Sequence, residues 1–588
     1  MTTDQNYQQI YRVGGMLDAG FVGQITYTIS LDQVYDELDI HFSFDKRLYS
    51  ESDVTPELID KLQTLCTAKY DAPTYPVEEF RQTILHEMKT EIHTMAELND
   101  NFIGCIHRQL TDRHMLYTKE FTSDGCLAQD TFSGVLKVTV LVFNVLLDNT
   151  QYTLTVSGHP VGQGVIAPNF NLMDTVKTAA GNAGASNAAG SADNSCDAES
   201  APASAVATAG SSGVSSAGSA ATAGDSSTTG SSSADNTVTA STRFKRLELH
   251  NHTVESDGSL TCQELTEYLA ADHVDAFAIT DHNTTSGQKK IEQLLEEKHY
   301  PISLIRGMEY TTYFGHILCL NLAKYVPWNS IDQHRPELLF EAAREKGALV
   351  GIAHPFSYGD PFARGCRFEM TISDYSKIDF IEIFNNPEPL HEVNERGTNL
   401  WMSLIFSGYQ ITATSGMDLH NRAKLAGCYA TYIEGKNGGN IASELDTAIH
   451  THRTWVSKGA LLLTEVLPET NELLLTFTDA HKPGFAVPKT AQVVLKGKDK
   501  TFTTSVSLDK PVCVSLNQLS GTDPIIPLLY EAPGINGAAT VSNAAHVAAS
   551  TSCGSAADAS SAAGQLKEID ALPAIEGLLC VSPVLYRD

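Results

Sequence analysis

Two pairs of polar residues, each spaced two positions apart at the end of an apolar run, could share a metal ion. His250 and His252 lie in LELHNHT, and Asp418 and His420 lie in SGMDLHN. On an extended strand, residues i and i+2 project to the same side, so each pair presents two side chains to one region of space. Imidazole and carboxylate groups presented in this way can hold one cation.

Five further His, Asp and Glu residues follow predicted strands or begin loops between the two pairs. They are Asp257 in ESDG, His282 in AITDHN, Glu309 in RGMEY, His316 in FGHIL and His354 in GIAHP. Any one of them alone is more often a surface or satisfied core residue. The nine together indicate a polynuclear metal centre, because a buried His or Asp costs free energy unless it is paired or coordinated. Imidazole and carboxylate ligands suit manganese, iron or zinc, so we predict two to three divalent ions.

Strands and helices alternate from residue 244 to 457, and these elements must position the polar residues. The predicted strands are RLELHNH, AFAITDH, ISLIRGMEY, HILCLNL, LVGIAHP, FIEIFNN, ITATSGMDLH and CYATYIE, and the predicted helices are 261–272, 286–298, 336–346 and 390–406. Thr261 and Glu264 have capping-box spacing, which marks a helix start. The alternation predicts an α/β fold with a largely parallel sheet or barrel, whose active site lies at the carboxyl ends of the strands.

The flanking segments have different patterns. Residues 1–172 combine strand-like runs with predicted helices around 56–68 and 76–98, which indicates a separate N-terminal α+β domain. We predict no catalytic constellation there and interpret His86 and His93 as residues on a helix face. Residues 458–588 contain closely spaced short strands, which predict a C-terminal β-sandwich-like domain.

Two low-complexity tracts interrupt the chain. Residues 173–243 are almost entirely Ala, Gly, Ser and Thr, and residues 537–564 form a second tract of this kind inside the C-terminal domain. Such segments cannot bury enough apolar surface to offset the entropy of ordering. We therefore predict that the first tract is a disordered linker and the second a low-complexity insert.

Composition limits the classes of partner. The formal net charge of −30 disfavours a general affinity for nucleic acids, which requires clustered Lys and Arg. The sequence begins without a basic and apolar leader pattern, and we expect no membrane partner and a cytoplasmic location. The eleven cysteines form no CxxC pair, which favours reduced thiols over a disulfide framework.

The ordered motifs HNHTVESDG, AITDHN, GMEY, GHI, AHP and GMDLH resemble those of the polymerase-and-histidinol-phosphatase (PHP) family, across about 170 residues. The resemblance implies a distorted (β/α)7 TIM-like barrel, the PHP fold, in residues 244–457. GMEYTTYFGHI and the trailing β-rich region are similar to the carbaryl-hydrolase-like branch of that family.

The resemblance also implies how the ligands divide among three ions. It implies a first ion held by His250, His252, Glu309 and Asp418, a second held by Glu309, His316 and His354, and a third held by Asp257, His282 and His420. Glu309, Asp418 and His282 are also the predicted catalytic residues. Asp281 is expected either to cap the loop or to orient a ligand imidazole.

These features predict a metal-dependent phosphoesterase with a small-molecule phosphoester as substrate. A metal-bridging hydroxide would attack phosphorus, so no Ser or Cys nucleophile is needed. Arg364, Arg367, Arg422 and Lys424 are the candidate anion-binding residues. A carbamate, amide or ester hydrolase on the same metal centre and a non-catalytic binding scaffold are the alternatives, because fold alone does not specify function.

Overall fold

The computed structural model of the protein describes most of the chain outside its low-complexity tracts. The described residues are 7–70, 76–108, 110–146, 148–161, 175–178, 244–329, 331, 334–385, 392–436, 438–482, 485–532 and 562–586. Most of the predicted linker and of the predicted insert therefore lies outside the described residues. Among the described residues, no helix is long and apolar enough to span a membrane.

The N-terminal residues form an antiparallel sheet with two helices. The strand order is β1-β7-β2-β6-β3-β4, and β5 and β8 also pair with β2. Its elements are β1 (Gln8–Leu17), β2 (Gly23–Phe44), α1 (Pro56–Tyr70), α2 (Val77–Glu87), β3 (Glu91–Leu98), β4 (Asn101–Ile106), β5 (Asp112–Tyr117), β6 (Phe132–Asn144), β7 (Thr150–Pro160) and β8 (Thr175–Thr178). The last of these strands lies inside the segment predicted to be a linker.

The helix predicted over 76–98 is wrong in its second half. Helix α2 ends at Glu87, and Met88 takes an extended conformation with φ −81° and ψ 126°. Residues Glu91–Leu98 form β3, which pairs with β4 on one side and β6 on the other. All eight residues of β3 are buried, so pairing and burial on both faces outweighed the helical pattern of the sequence. His93 is consequently a buried strand residue and not a helix-face residue.

The central region alternates strands and helices, as predicted. Its strands are β9 (Phe244–Glu248), β10 (Ala276–Ile279), β11 (Ser303–Thr311), β12 (His316–Leu320), β13 (Leu349–Ile352), β14 (Phe380–Asn385), β15 (Thr412–Gly416), β16 (Ala430–Glu434) and β17 (Thr454–Ser457). Its helices are α3 (Cys262–Ala271), α4 (Ser286–Lys298), α5 (Glu337–Arg344), α6 (Glu392–Phe406) and α7 (Ile441–His450). The predicted capping box is present, since Thr261 accepts from the Glu264 amide and Glu264 accepts from the Thr261 amide.

The central strands are mostly but not entirely parallel. They lie in the order β15-β14-β13-β12-β11-β10-β9-β16-β17. Strands β9, β10 and β11 are parallel, as are β13, β14 and β15, whereas β12 is antiparallel to both its neighbours and β16 to β9. The two ends of this order, β15 and β17, are in contact, because the Thr454 hydroxyl of β17 donates to the Ala413 carbonyl of β15 at 2.7 Å. The fold is thus a mixed α/β one with large sheets, and a closed TIM-like barrel stays a prediction.

The C-terminal strands extend the central sheet and build another beside it. They are β18 (Ala460–Leu467), β19 (Glu472–Asp479), β20 (Thr490–Lys496), β21 (Thr501–Ser507), β22 (Val512–Ser515), β23 (Ile526–Glu531), β24 (Ala562–Ala563), β25 (Lys567–Ile569) and β26 (Leu578–Val581). The central sheet continues from β17 through β26, β23, β20 and β21 to β25, and a four-stranded sheet has the order β18-β19-β22-β24. Leu461 and Leu475 of the smaller sheet share a core with Val493 and Leu529 of the larger one.

The N-terminal sheet packs directly on the central region. Met95 and Phe143 belong to the same buried core as Met308 and Ile317. The Tyr313 hydroxyl donates to the Gly23 carbonyl at 2.7 Å, which adds a polar connection between the two. This packing places residues of β3 and β4 beside the strand ends that carry the predicted metal ligands.

Candidate metal centre

The two polar pairs face each other because the residues between them are paired. Asn251 and Leu419 form a parallel bridge, in which the His252 amide donates to Leu419 and the Leu419 amide donates to His250. The Asn251 side chain donates to the carbonyl groups of Glu248 and Ala278, on the opposite side. The residues that flank this bridge converge on one side, where His250, His252 and Asp418 belong to one compact group. The distance from His252 Nε2 to Asp418 Oδ1 is 2.9 Å.

Glu309 lies in the middle of the cluster. A parallel bridge between His282 and Glu309 continues the β10–β11 ladder and sets these two residues side by side. Oε1 of Glu309 lies 2.9 Å from Nδ1 of His316 and 3.1 Å from Nε2 of His354. Its Oε2 lies 3.0 Å from Nδ1 of His282 and 3.1 Å from Nε2 of His250. The two oxygens of one buried carboxylate thus address two different sets of imidazoles.

Asp281 fixes the loop that carries Asp257. Its carboxylate accepts from the Thr253 amide at 2.7 Å, the Thr253 hydroxyl at 2.8 Å and the Ser256 hydroxyl at 2.6 Å. These contacts match the loop-capping expectation for Asp281. Asp257 Oδ1 then lies 3.3 Å from Nε2 of His420.

The structure brings all nine predicted ligands into one cluster. Three compact groups, in each of which the candidate ligand atoms lie within 4.8 Å of one another, are His250, His252, Glu309 and Asp418; His252, Asp257, His282 and His420; and His282, Glu309 and His316. The first group has the membership of the first implied ion site. The second contains the third implied set together with His252.

The second implied ion site differs from the observed grouping. In the compact group around Glu309 and His316, His282 takes the place that the resemblance gave to His354. Nε2 of His354 still lies 3.1 Å from Glu309 Oε1, and it lies 3.8 Å from Asp418 Oδ2. His354 therefore lies between the carboxylates of Glu309 and Asp418, and it could bind an ion together with either of them.

The cluster fits divalent ions on the chemistry of its buried atoms. Several of its polar atoms have no hydrogen bond of normal geometry within the described part of the chain: Nε2 of His250, Nδ1 of His252, Oδ1 of Asp257, Oε2 of Glu309, Nε2 of His316 and Nδ1 of His354. Buried polar groups in proteins are almost always satisfied, and unsatisfied ones commonly mark a ligand or ion site. Neutral imidazole and carboxylate together are ligands for zinc, manganese and iron.

The imidazoles of the cluster shift the pKa values of its carboxylates. Burial by itself would raise the pKa of Glu309, but the imidazoles of His250, His316 and His282 outweigh it and hold that pKa well below its usual range. Asp257 behaves in the same way. Burial lowers the pKa of His316 to about 4, against the opposing effect of Glu309. Burial would lower the pKa of His420, but Asp257 and Asp418 outweigh it and raise that pKa to about 10. The carboxylates are thus ionised at pH 7, and a bound cation would displace the proton of an imidazole such as His420.

Two candidate ligands have unusual backbone conformations. The φ angle is 50° at Asp418 and 23° at His354, in the left-handed region that non-glycine residues rarely occupy. Such strain persists where the surroundings fix it and often marks functional positions. Gly416, two residues before Asp418, leaves room for this arrangement, because a Cβ atom there would lie 2.5 Å from His250 Cβ.

Glu382 is a central residue that the sequence reasoning missed. It is buried at the middle of β14, where it accepts from the His354 amide at 3.0 Å and from the Asn385 side chain at 2.9 Å. Its Oε1 lies 3.1 Å from Nδ1 of His250. The available signal was a charged residue inside the apolar run FIEIFNN, since a buried Glu requires a partner.

A cavity of about 190 Å³ opens beside the cluster, and residues from the N-terminal sheet line part of it. Lys89, Glu91 and His107 form this part of the wall. The ring of His107 stacks on that of His282 with centroids 4.2 Å apart. No local pattern points to these three residues, because they lie well over a hundred positions before the motifs.

The four predicted anion-binding residues occupy different places. Arg364 lines the cavity and pairs with Asp360 at 2.9 Å, and its Nε has no hydrogen-bond partner among the described residues. Arg367 is not a lining residue and lies over the ring of Tyr70 at 5.1 Å. Arg422 and Lys424 are exposed and also lie away from the lining. Of the four, Arg364 alone faces the metal cluster.

The sequence is similar to known proteins over parts of its length. The profile of a family of unknown function, DUF6669, matches residues 7–160. An uncharacterised protein of Methanocaldococcus jannaschii is 30% identical over 112 residues, covering 19% of this chain and 58% of that protein. A protein of Haemophilus influenzae named 5'-3' exoribonuclease is 36% identical over 141 residues, covering 23% of this chain and 50% of that protein. The chain thus spans about half the length of these curated relatives.

Solved structures give two further likenesses. One is a two-domain protein from Bacteroides vulgatus, described as containing a predicted PHP-like metal-dependent phosphoesterase, with a TM-score of 0.30 and 14% identity over 49% of this chain and 90% of that chain. The other is an amidohydrolase from Chromobacterium violaceum, with a TM-score of 0.23 and 16% identity over 30% of this chain and 88% of that chain. The carbaryl-hydrolase-like branch stays a prediction.

Proposed function

We propose that the protein is a metal-dependent hydrolase that cleaves a phosphate ester of a small molecule. The observation that supports this proposal most is the convergence of nine His, Asp and Glu side chains in one cluster, several with unsatisfied buried atoms. Six of them line a cavity: Asp257, His282, His316, His354, Asp418 and His420. The expected cofactors are two to three divalent ions, with manganese, iron or zinc as candidates. When bound, such ions lower the pKa of a water molecule and stabilise negative charge on a phosphoryl group.

The charges around the cavity favour an anionic substrate over a neutral one. Lys89 and Arg364 contribute cationic groups to the cavity wall, which also carries the carboxylates of Glu91, Asp257 and Asp418. Arg presents a planar fork of donors that matches phosphate oxygens, and Lys adds a compact positive charge. These two residues are our candidates for holding the non-bridging phosphate oxygens. We no longer propose that role for Arg367, Arg422 and Lys424, which do not line the cavity.

The protein's own residues have distinct parts in this scheme. Glu309 and Asp418 contact the imidazoles of His250, His252 and His354 and hold them in the cluster. Burial of these groups excludes bulk water and strengthens each electrostatic contact with the substrate. His282 and His420 lie on either side of Asp257 Oδ1, at 3.6 Å and 3.3 Å, and are candidates to handle a proton at the leaving oxygen.

A substrate panel tests the proposal. The protein is reconstituted separately with manganese, iron and zinc and assayed on an aryl phosphomonoester, an aryl phosphodiester, a dinucleotide and an aryl carbamate. We expect metal-dependent release of the aryl group from a phosphoester. The dinucleotide is included because one relative is named an exoribonuclease.

Matched variants make the assay specific. Glu309→Gln should abolish activity, whereas Glu341→Gln, an exposed residue paired with Lys377, should retain it. Activity on the carbamate alone would assign the site to carbonyl hydrolysis and contradict the phosphoesterase proposal. Metal content that is substoichiometric, with no activity on any substrate, would favour the scaffold.

A further inference from the structure

A second group of buried imidazoles lies beside the nine-residue cluster, on the N-terminal sheet. Glu91 and His93 belong to β3, and His107 follows β4. Their candidate ligand atoms all lie within 4.8 Å of one another, and all three residues are buried. The rings of His93 and His107 are 3.9 Å apart between centroids.

The two histidines lack the hydrogen bonds that such buried groups need. Three ring nitrogens have no hydrogen-bond partner of normal geometry among the described residues: Nδ1 and Nε2 of His93, and Nδ1 of His107. A buried imidazole without partners costs free energy that coordination would offset. Nε2 of His93 lies 3.2 Å from Glu91 Oε1, close to the separation of roughly 3.3 Å that tetrahedral ligands at about 2.0 Å from an ion have.

Asp257 connects this group to the nine-residue cluster. Its Oδ1 faces His420 at 3.3 Å, whereas its Oδ2 faces Nε2 of His107 at 3.5 Å. The two oxygens thus point to two different sets of imidazoles, as the oxygens of Glu309 do. A carboxylate in this position can bridge two ions, with one oxygen on each.

We infer that Glu91, His93 and His107 form an additional divalent-cation site, which Asp257 links to the nine-residue cluster. The N-terminal sheet is then part of the metal centre, in addition to packing against it. Zinc suits this site best among the candidate metals, because two imidazoles and carboxylate oxygen are common zinc ligands. The inference concerns metal binding alone, so a failed hydrolase assay would leave it standing.

The number of ions per chain tests the site. The full-length protein is saturated with zinc and dialysed, and the number of zinc ions per chain is measured by inductively coupled plasma mass spectrometry. The double variant His93→Asn, His107→Asn should hold one ion fewer than the wild type. A cobalt-substituted sample should lose one component of its visible absorption in the same variant.

An exposed group provides the matched control. His41, Asp112 and His114 also converge, with the two rings stacked 4.1 Å apart, but on the protein surface. The double variant His41→Asn, His114→Asn should keep the wild-type ion count. An unchanged count in the folded His93 and His107 variant would overturn the inference.

Two further outcomes are decisive. If the His93→Asn, His107→Asn variant binds zinc more weakly but holds the same number of ions as the wild type, His107 belongs to the ion beside His420. That result would overturn the separate site. If the double variant does not fold, the isosteric Glu91→Gln variant replaces it. That variant should bind the additional ion at least tenfold more weakly, and an unchanged zinc affinity would overturn the inference.

Discussion

Oε1 of Glu382 lies 3.1 Å from Nδ1 of His250, which precedes it by 132 residues. A carboxylate at Nδ1 favours the tautomer that carries its proton there, so Nε2 remains available to bind an ion. The Glu382 carboxylate is itself held by the His354 amide and the Asn385 side chain. The orientation of His250 therefore depends on a residue that touches no predicted ion.

We predict that Glu382→Gln weakens metal binding by about 10- to 100-fold, the usual effect of losing a carboxylate that orients a ligand imidazole. Competition with a chromophoric chelator measures the affinity. Glu341→Gln is the control, because Glu341 is exposed and lies on α5. Equal affinities for the two variants would show that Glu382 does not orient His250 for metal binding.

Removal of the metal should destabilise the fold. The cluster gathers the buried carboxylates of Glu309 and Glu382 with the partly buried one of Asp418, and ions that bind the folded state alone stabilise it. At a free ion concentration about a hundredfold above Kd, the gain is roughly 2.7 kcal/mol. We expect EDTA to lower the melting temperature of the wild type.

Glu309→Gln should melt at the same temperature with and without EDTA, or show a much smaller difference than the wild type, because the bridging carboxylate is lost. Differential scanning fluorimetry measures both. A wild-type melting temperature that does not respond to EDTA or to added zinc would contradict the metal centre itself.

Arg364 and Lys89 should contribute to substrate binding. A hydrogen bond to a charged group is worth about 1.5 to 3 kcal/mol, so Arg364→Ala should raise KM for a phosphoester roughly 10- to 100-fold. Lys89→Ala should act in the same direction. Arg422→Ala, outside the cavity lining, should leave KM unchanged. Equal KM values for the Arg364 and Arg422 variants would remove Arg364 from the substrate site.

The pairing of His250 with His252 could be predicted from the sequence, because side-chain direction along a strand depends only on local backbone geometry. The two-residue period of extended chain fixes the side to which His250 and His252 project, and apolar runs mark the strands that carry them. The capping box at Thr261 and the extent of α4 are local in the same sense, and both predictions are confirmed.

The residues that the sequence reasoning missed depend on long-range packing. His107 meets His282 across 175 positions of the chain, and nothing in either local pattern specifies that contact. His93 was assigned to a helix because its strand is buried on both faces and lacks a clear two-residue alternation. Arg367 stacks on Tyr70 of the N-terminal helix, which the position of Arg367 after AHPF could not reveal.

Gly416 should not tolerate a side chain. A Cβ atom there would lie 2.5 Å from Cβ of His250 and 2.6 Å from Oε1 of Glu382, which are the two groups that meet at the metal centre. Gly416→Ala should therefore displace them, destabilise the fold by about 1 to 3 kcal/mol and lower metal occupancy.

Gly397→Ala is the matched control for Gly416→Ala. Gly397 lies in α6, and the nearest atom to its added Cβ is 3.4 Å away, an ordinary contact distance. Its replacement should leave metal occupancy unchanged and should stabilise the helix by up to about 1 kcal/mol. Full metal occupancy in Gly416→Ala would contradict the tight packing around His250.

Glu248 should make the stability of the protein depend on pH above the acid range. Burial raises the pKa of Glu248 to about 8, against the opposing effect of the hydrogen bond from the Met417 amide. Between the ordinary pKa of 4.5 and pH 8, the folded chain retains a proton that the unfolded chain has released. The free energy of unfolding therefore falls as the pH rises through this window, by up to about 1.4 kcal/mol per pH unit from this group.

Glu248→Gln removes the titrating group while keeping an oxygen that can accept from Met417. The difference in unfolding free energy, variant minus wild type, should therefore increase steadily from pH 5.5 to 7.5 and level off above the folded-state pKa. Urea denaturation at a series of pH values measures it, with exposed Glu341→Gln as the control that should track the wild type. A constant difference across this range would mean that Glu248 is ionised in the folded protein. Its charge would then be compensated inside the sheet, and Arg246, whose charge lowers the pKa of Glu248, is the candidate for this role.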